Sequence, residues 1–244
     1  MTPKAPTPLE PAPLHLQVRD RLTDAILSGE LRPGTVLPAE LELAQSYGIA
    51  VGTLRRALSV LTEEGVLARR RRTGTVVTGR APQLGLRFLI RYFRLHGLDG
   101  GLVQARSQSL SVSIAPATLA EARALDLSEG APLCRFRRLR LVEDVPVMID
   151  DYAVQAARLS GPVPDTVPAQ LYLHLDQVHG LRLAAVRELL SAELCPQAAA
   201  ALGLPDGAPL LRIDETAYDA AGRPVVLALH HADTSRHRYV SEIR

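Results

Sequence analysis

The 244-residue chain is long enough for one large domain or two modest ones, and at 47% hydrophobic and 22% charged it has the composition of a soluble folded protein. No apolar stretch reaches the roughly 20 residues a membrane-spanning helix needs. The net charge of +2 decides little by itself, but residues 1–80 hold 11 Lys and Arg against 8 Asp and Glu, while residues 81–244 hold 17 against 18. Much of that basic excess is the run Arg69-Arg70-Arg71-Arg72, which means nothing beyond a solvated face unless its structural position adds to it.

Residues 1–13, with prolines at 3, 6, 8, 11 and 13, read as a flexible extended tail, neither signal peptide nor membrane anchor. A helix follows, because Leu14, Val18, Leu22 and Ile26 recur every four residues and Ala25 widens the same face; Gly29 is its expected stop. Pro33-Gly34 is a turn, with Val36 and Leu37 extended behind it. A short helix begins near Pro38, with Glu40 in its first turn and Leu41 and Ala44 on its inner face. Tyr47-Gly48-Ile49 breaks it. From about Ala50 a third helix carries an apolar stripe through Leu54, Ala57, Leu58 and Leu61, leaving Thr53, Arg55, Arg56 and Ser59 off the stripe. After Gly65, Val66–Ala68 and Thr75–Val77 read as two short strands joined by a basic tip from Arg70 to Gly74. Three small helices and a hairpin in this order predict a winged helix-turn-helix over residues 14–78.

Residues 79–85 read as a linker, and 86–244 as a second domain. A strand is predicted from about 102 to 114, then a helix from Pro116 through Leu125 and a turn at Gly130-Ala131-Pro132. Leu133–Val142 and Pro146–Tyr152 form a hairpin turning at Glu143-Asp144, although Phe136 and Arg138, two residues apart, cannot both be simple core positions. Helices fit Pro168–His179 and Pro196–Leu202, and strands fit 181–190, 209–218 and 224–231. The order predicts an α+β domain with a mainly antiparallel sheet. One internal echo stands out: the stretch 117–133 and the stretch 195–210 both read helix, Gly-Ala-Pro, strand, which predicts two similar units in a two-fold arrangement.

The third helix has the build of a helix that enters the major groove, with its N-terminal residues reaching base edges. Arginines at the hairpin tip would neutralise phosphates or enter the minor groove beside it. At this point residues 14–77 resemble the GntR family of bacterial transcriptional regulators. The resemblance is carried by the stretches 26–34, 37–44 and 53–58, by Leu61-Thr62-Glu63-Glu64-Gly65-Val66-Leu67, and by Gly74-Thr75-Val76-Val77. It implies DNA contacts from Thr53, Arg55 and Arg56, and from Arg69, Arg70, Arg71, Arg72, Gly74 and Thr75 of the wing. The chain departs from the family pattern at Ala39, Leu41, Ala50-Val51 and Arg72. Two arginines common in the family are therefore absent, and base readout should be reduced.

Residues from about 84 onward resemble the UTRA effector domain of the HutC-like branch of that family, through Arg138-Leu139-Arg140, Val145-Pro146-Val147, Leu171-Tyr172 and the stretch from Tyr218 through Gly222-Arg223-Pro224-Val225. The resemblance implies a small anionic effector such as a sugar phosphate or organic acid. It assigns effector contacts to Arg138, Arg140, Asp150, Gln170, Tyr172, Tyr218 and Arg236. Gln170 stands where a small hydroxyl residue is usual, and Val226 where a glutamate is common. Guanidinium groups gathered at Arg135, Arg138 and Arg140 need an anion, an acid or solvent. The competing reading pairs them with Glu143, Asp150 or Asp151 as structural salt bridges.

No cofactor, metal or catalytic site is expected. His230 and His231 are neighbours on a strand and face opposite ways, Asp150 and Asp151 likewise, and Cys134 and Cys195 read as ordinary thiols. The expectation is a cytoplasmic homodimeric repressor on a double-stranded operator, controlled by its effector. Two alternatives stay open: a ligand-independent DNA-binding dimer whose second domain is purely structural, and an enzyme tethered to DNA.

Overall fold

The computed structural model describes residues 13–27, 30–78 and 93–241; the predicted stop at Gly29, the linker at 79–85 and nearly all of the predicted tail lie outside the described residues. The chain divides into two compact units, residues 1–83 and 84–244.

In the first unit, helices α1 (Leu14–Leu27), α2 (Glu40–Ser46) and α3 (Val51–Glu63) precede a hairpin of β1 (Leu67–Arg70) and β2 (Gly74–Val77). The helical periodicity sets the core. Val18, Leu22 and Ile26 of α1 meet Leu54, Ala57, Leu58 and Leu61 of α3, with Ala44, Val66 and Val77 closing the cluster. Two expected core positions are instead exposed. Leu14 lies in the first turn of α1, and Leu41 is turned outward because the core side of the seven-residue α2 runs between Leu43 and Ala44. The extended segment behind Pro33-Gly34 lies against the wing through an isolated bridge of Val36 with Val76: Leu37 N donates to Thr75 O at 2.8 Å and Val77 N to Thr35 O at 2.9 Å.

The wing turns through Arg71–Thr73, and Arg72 is held at φ 72°, a left-handed conformation in which its Cβ crowds the backbone. Gly74 follows at φ 100°, where glycine carries no such penalty.

The second unit is built on one six-stranded antiparallel sheet, order β4-β5-β6-β9-β8-β7. Its strands are β4 (Arg106–Pro116), β5 (Pro132–Val142), β6 (Val145–Gln155), β7 (Leu183–Leu194), β8 (Pro209–Asp219) and β9 (Pro224–Ala232). Helices α4 (Leu119–Ala124), α5 (Leu171–His179) and α6 (Pro196–Ala201) pack on it. A small pair, β3 (Leu95–Gly97) with β10 (His237–Tyr239), has no counterpart among the predicted elements.

Two predicted helix starts move inward. Pro116 still pairs with Pro132 at the end of β4, and α4 begins after Thr118, whose hydroxyl accepts from Glu121 N while the Glu121 carboxylate accepts from Thr118 N at 2.8 Å. Pro168 stays outside α5 because its carbonyl, like that of Ala169, accepts a hydrogen bond from Arg138.

The internal echo is a structural repeat. Strand, helix, strand, strand occurs twice (β4-α4-β5-β6 and β7-α6-β8-β9), and the sheet order reads alike from either edge of the central β6–β9 pair. Local details repeat as well: Leu127 N bonds Ala122 O at 2.8 Å where Leu204 N bonds Ala199 O at 2.9 Å, and Gly130 and Gly207 take φ of 75° and 79°. Helices α4 and α6 cover opposite ends of one sheet face. Helix α5 covers the other face through Leu171, Tyr172 and Leu175, and Leu95 of β3 packs with Met148 and Ile213 beside it.

Relief of the strain at Arg72 gives the first test. Arg72→Gly should stabilise the first unit by about 1 kcal/mol. In native-state hydrogen exchange the α3 core amides should then exchange roughly fivefold more slowly; unchanged or faster exchange would show that the turn stores no such strain.

Candidate functional site

In the first unit, Arg55, Arg56, Arg69, Arg70, Arg71, Arg72 and Gly74 are exposed, and Thr53 and Thr75 are half-buried. One carboxylate organises part of this surface. Glu40 Oε2 accepts from Arg55 Nε at 2.5 Å and Oε1 from Arg69 Nη2 at 3.3 Å, so α2 holds the start of α3 and the wing through one side chain. Both guanidinium side chains are more than half exposed, so these bonds hold each arginine by no more than about 1 kcal/mol. A phosphate or a guanine edge can therefore take either arginine from Glu40.

The second unit buries a charged network on the α5 side of the sheet. Strand alternation puts Phe136, Arg138 and Arg140 of β5 on that face, opposite Tyr152, Asp150 and Met148 of β6. His230 of β9 is paired with Asp150, and Glu215 of β8 with Ala228. Asp150 is the hub. Its Oδ2 accepts from Arg138 Nε at 2.8 Å, Arg140 Nε at 3.1 Å and the Tyr152 hydroxyl at 3.2 Å, while Oδ1 lies 2.8 Å from His230 Nδ1. Arg138 donates further to Tyr152 Oη at 2.6 Å and to the carbonyls of Pro168 and Ala169 at 2.9 and 3.0 Å, tying β5 to the segment that enters α5. Phe136 and Arg138 are thus both core residues, Arg138 because every side of its guanidinium is met.

The network continues past His230. Its Nε2 lies 3.7 Å from Glu215 Oε2, beyond hydrogen-bond length. Glu215 is held by Arg94 and by the Tyr172 hydroxyl; Arg94 also binds Glu188, which accepts from Tyr239. Burial alone would raise the Asp150 carboxyl, but Arg138, His230 and Arg140 outweigh it and hold the group well below the usual carboxylate range. Glu215 is depressed too, Arg94 and His230 overcoming its burial. For His230, burial and Arg94 act downward, yet Asp150 and Glu215 prevail and raise the imidazolium above the ordinary histidine value. Arg94, Arg138 and Arg140 balance Asp150, Glu188 and Glu215, so a protonated His230 leaves one positive charge uncompensated.

The residues expected to form the effector site divide. Arg138, Arg140, Asp150 and Tyr172 enter this one network. Gln170 is exposed at the N-cap of α5 and makes no side-chain cap. Tyr218 follows a register shift at the end of β8, and alternation turns it from the face that Glu215 and Ala217 share. Arg236 is exposed in the bend before β10. Arg94, Tyr152, Glu188, Glu215, His230 and Tyr239 were not foreseen as site residues. The echo held one signal, since Glu215 occupies in β8 the place Arg138 occupies in β5.

The opposite face carries a concavity of about 610 Å³ whose lining includes Arg135, Arg137, Asp151, Arg212, Asp214 and Leu229. Each guanidinium there already has a carboxylate: Arg135 with Glu121 at 2.6 Å, Arg137 with Asp151 at 3.3 Å, Arg212 with Asp214 at 2.7 Å. It offers an anion less than the Asp150 face does, despite its volume. His231 points to this side, as strand alternation requires, and groups with Glu193 and Cys195. That trio contains metal-ligand atom types, but Arg212 already donates to Glu193 Oε2 at 2.8 Å.

Residues 14–77 match the model of the bacterial regulatory proteins of the gntR family, and residues 102–238 match the UTRA domain. The chain belongs to the GntR family. The histidine utilization repressor of Pseudomonas aeruginosa is 31% identical to it over 237 residues, covering 93% of this chain and 90% of the relative. The transcriptional repressor NagR of Bacillus subtilis is 28% identical over 213 residues, 85% of each chain. The ligand-binding domain of a GntR-family regulator from Bordetella bronchiseptica superimposes with a TM-score of 0.58 at 26% identity, covering 63% of this chain and 98% of that one. This GntR-family protein is thus a DNA-binding transcriptional regulator with a UTRA effector domain, and its relatives are regulators, not enzymes.

The depressed Asp150 and Glu215 stabilise the unit at neutral pH, and that contribution is lost as pH falls through their folded values; the raised His230 stabilises below its ordinary value, and that contribution is lost as pH rises through the folded one. Asp150→Asn leaves Arg138 buried without its carboxylate and should cost about 3–5 kcal/mol in urea unfolding at pH 7. The His230 ring resonances should then titrate below the ordinary histidine value instead of above it. Full stability with an unmoved titration would remove Asp150 from the centre of the network.

Proposed function

We propose that this regulator is a cytoplasmic homodimer that represses by occupying a pseudo-palindromic operator and is controlled by a small organic anion. The organisation proposed is a tail (1–13), a DNA-binding domain (14–78), a linker (79–85) and an effector-binding and dimerisation domain (86–244). The names of its relatives, a histidine utilization repressor and the repressor NagR, support repression. No helix of the described residues is long and apolar enough to cross a membrane. Thr53, Arg55 and Arg56 read base edges in the major groove, and the Arg69–Arg72 wing, with Gly74 and Thr75, lies along phosphates.

The observation that carries the effector reading is the Asp150 hub, where Arg138, Arg140 and His230 converge on one buried carboxylate. Arg138 already donates four of its five N–H groups within the protein, so its part is positional. Arg140 donates, among the described residues, only through Nε to Asp150, which leaves its two terminal nitrogens for a ligand carboxylate or phosphate. Tyr172 and Gln170, at the start of α5, complete the proposed site; Tyr218 and Arg236 do not belong to it. A ligand that prefers one arrangement of this unit shifts the protein toward that arrangement and changes how the dimer presents its DNA-binding domains.

Two substitutions separate the parts. Arg55→Ala should weaken operator binding well over tenfold, as loss of a base contact worth about 1–3 kcal/mol plus one phosphate-like charge requires. Its circular dichroism and melting should stay those of the parent; unchanged affinity in fluorescence anisotropy would remove Arg55 from the readout. Arg140→Ala should keep operator affinity and lose release by the anion that releases the parent. Retained release would put the effector elsewhere.

A further inference from the structure

Arg55 and Arg56 are neighbours on α3, yet only one of them is held. Arg55 Nε donates to Glu40 Oε2 at 2.5 Å, whereas Arg56 has no ion pair among the described residues. The attachment is through Nε alone, so among the described residues both terminal nitrogens of Arg55 stay available. A phosphate competes for the whole guanidinium, while a guanine edge needs only two parallel donors for O6 and N7. Arg55 can therefore meet a guanine with Nη1 and Nη2 while Nε remains on Glu40. A long side chain held before DNA arrives also loses less rotamer freedom on contact.

The other carboxylate oxygen is held more loosely. Glu40 Oε1 lies 3.3 Å from Arg69 Nη2, at the long end of hydrogen-bond length. Arg69 stands on β1 of the wing, and a phosphate that takes it leaves Oε1 open. A carboxylate only accepts hydrogen bonds. An open Oε1 thus suits the amino group at cytosine N4 or adenine N6, and is repelled by guanine O6 and N7 or thymine O4. The Glu40 side chain is 29% exposed, and so within reach of a base edge.

We propose that Glu40 is a specificity-determining residue: it positions Arg55 on a guanine and requires an amino-bearing base, cytosine or adenine, beside that guanine. This rests on the reading that Arg55 contacts a base edge, and adds a second readout to it. The same carboxylate lowers affinity for arbitrary sequence, since it engages two arginines and repels phosphates. Where the amino group is missing, Glu40 faces acceptors with nothing to receive.

Selection of bound DNA from a random pool, run in parallel for the parent, Glu40→Gln and Glu40→Ala, tests this. The parent should enrich a guanine with cytosine or adenine beside it. Glu40→Gln keeps an oxygen for Arg55 but adds an amide donor, so it should retain the guanine and admit guanine or thymine beside it. Glu40→Ala should weaken binding to the parent's selected site roughly tenfold, as a misplaced bidentate contact requires. Its binding to random-sequence duplex should instead strengthen, with a salt slope steeper by about 1. A merely structural role for Glu40 moves neither base preference nor salt slope. Circular dichroism should stay that of the parent, because both Glu40 bonds are exposed. If both Glu40 variants select the parent's sequence with the parent's ratio of specific to random affinity, Glu40 is no determinant and Arg55 keeps its own role. If Arg55→Ala selects the parent's sequence, both readings fall.

Discussion

A single buried carboxylate, Asp150, meets Arg138, Arg140, His230 and Tyr152 at the middle of the sheet, and the second unit is arranged around that fact. Taking so many charges out of water is tolerable only when each is paired. Asp150 answers two arginines and a histidine, and the cost of leaving any of them alone sets strand register, the entry to α5 and the protonation of His230. Arg138 shows the reach of this constraint. It is anchored to Asp150 and also grips the carbonyls of Pro168 and Ala169, so α5 starts where a β5 side chain lets it start.

The two-fold repeat explains why the charges meet there. Equivalent places in the two halves face one another across the β6–β9 pair, and a strictly repeated sequence would bring like charges together. The halves have diverged instead: β5 carries Arg138 where β8 carries Glu215, and β6 carries Tyr152 where β9 carries His230. The DNA-binding unit uses the opposite strategy. Its Glu40 holds Arg55 and Arg69 by exposed bonds of little worth, which a nucleic acid can replace without disturbing the core. Strong pairs hold the sensor together, and weak ones hold the reading head ready.

Elements set by local chemistry were legible in the sequence. The α3 stripe, the wing, the β5–β6 hairpin and the helix-Gly-Ala-Pro-strand echo all follow from periodicity and turn residues. Helix starts at prolines were not, because Thr118 capping and the Arg138 carbonyl bonds are tertiary or side-chain events that a proline does not announce. Leu41 was misplaced because seven residues make too short a helix for periodicity to choose a face. Of the Asp150 network, Arg138, Arg140, Asp150 and Tyr172 were named through family resemblance. Arg94, Glu188, Glu215 and His230 were not, since they lie on strands and segments far apart in sequence and only the sheet order joins them. Tyr218 and Arg236 lie apart from that network, Tyr218 beyond a register shift and Arg236 in an exposed bend.

If charge at the Asp150 face selects the ligand, a melting-temperature comparison of paired ligands shows it most directly. The protein would be heated with a panel of small organic acids and sugar phosphates, each beside its uncharged amide or unphosphorylated analogue. At least one anion should raise the melting temperature at millimolar concentration, its neutral partner should not, and the gain should shrink with added salt. Equal stabilisation by the neutral partner would contradict it.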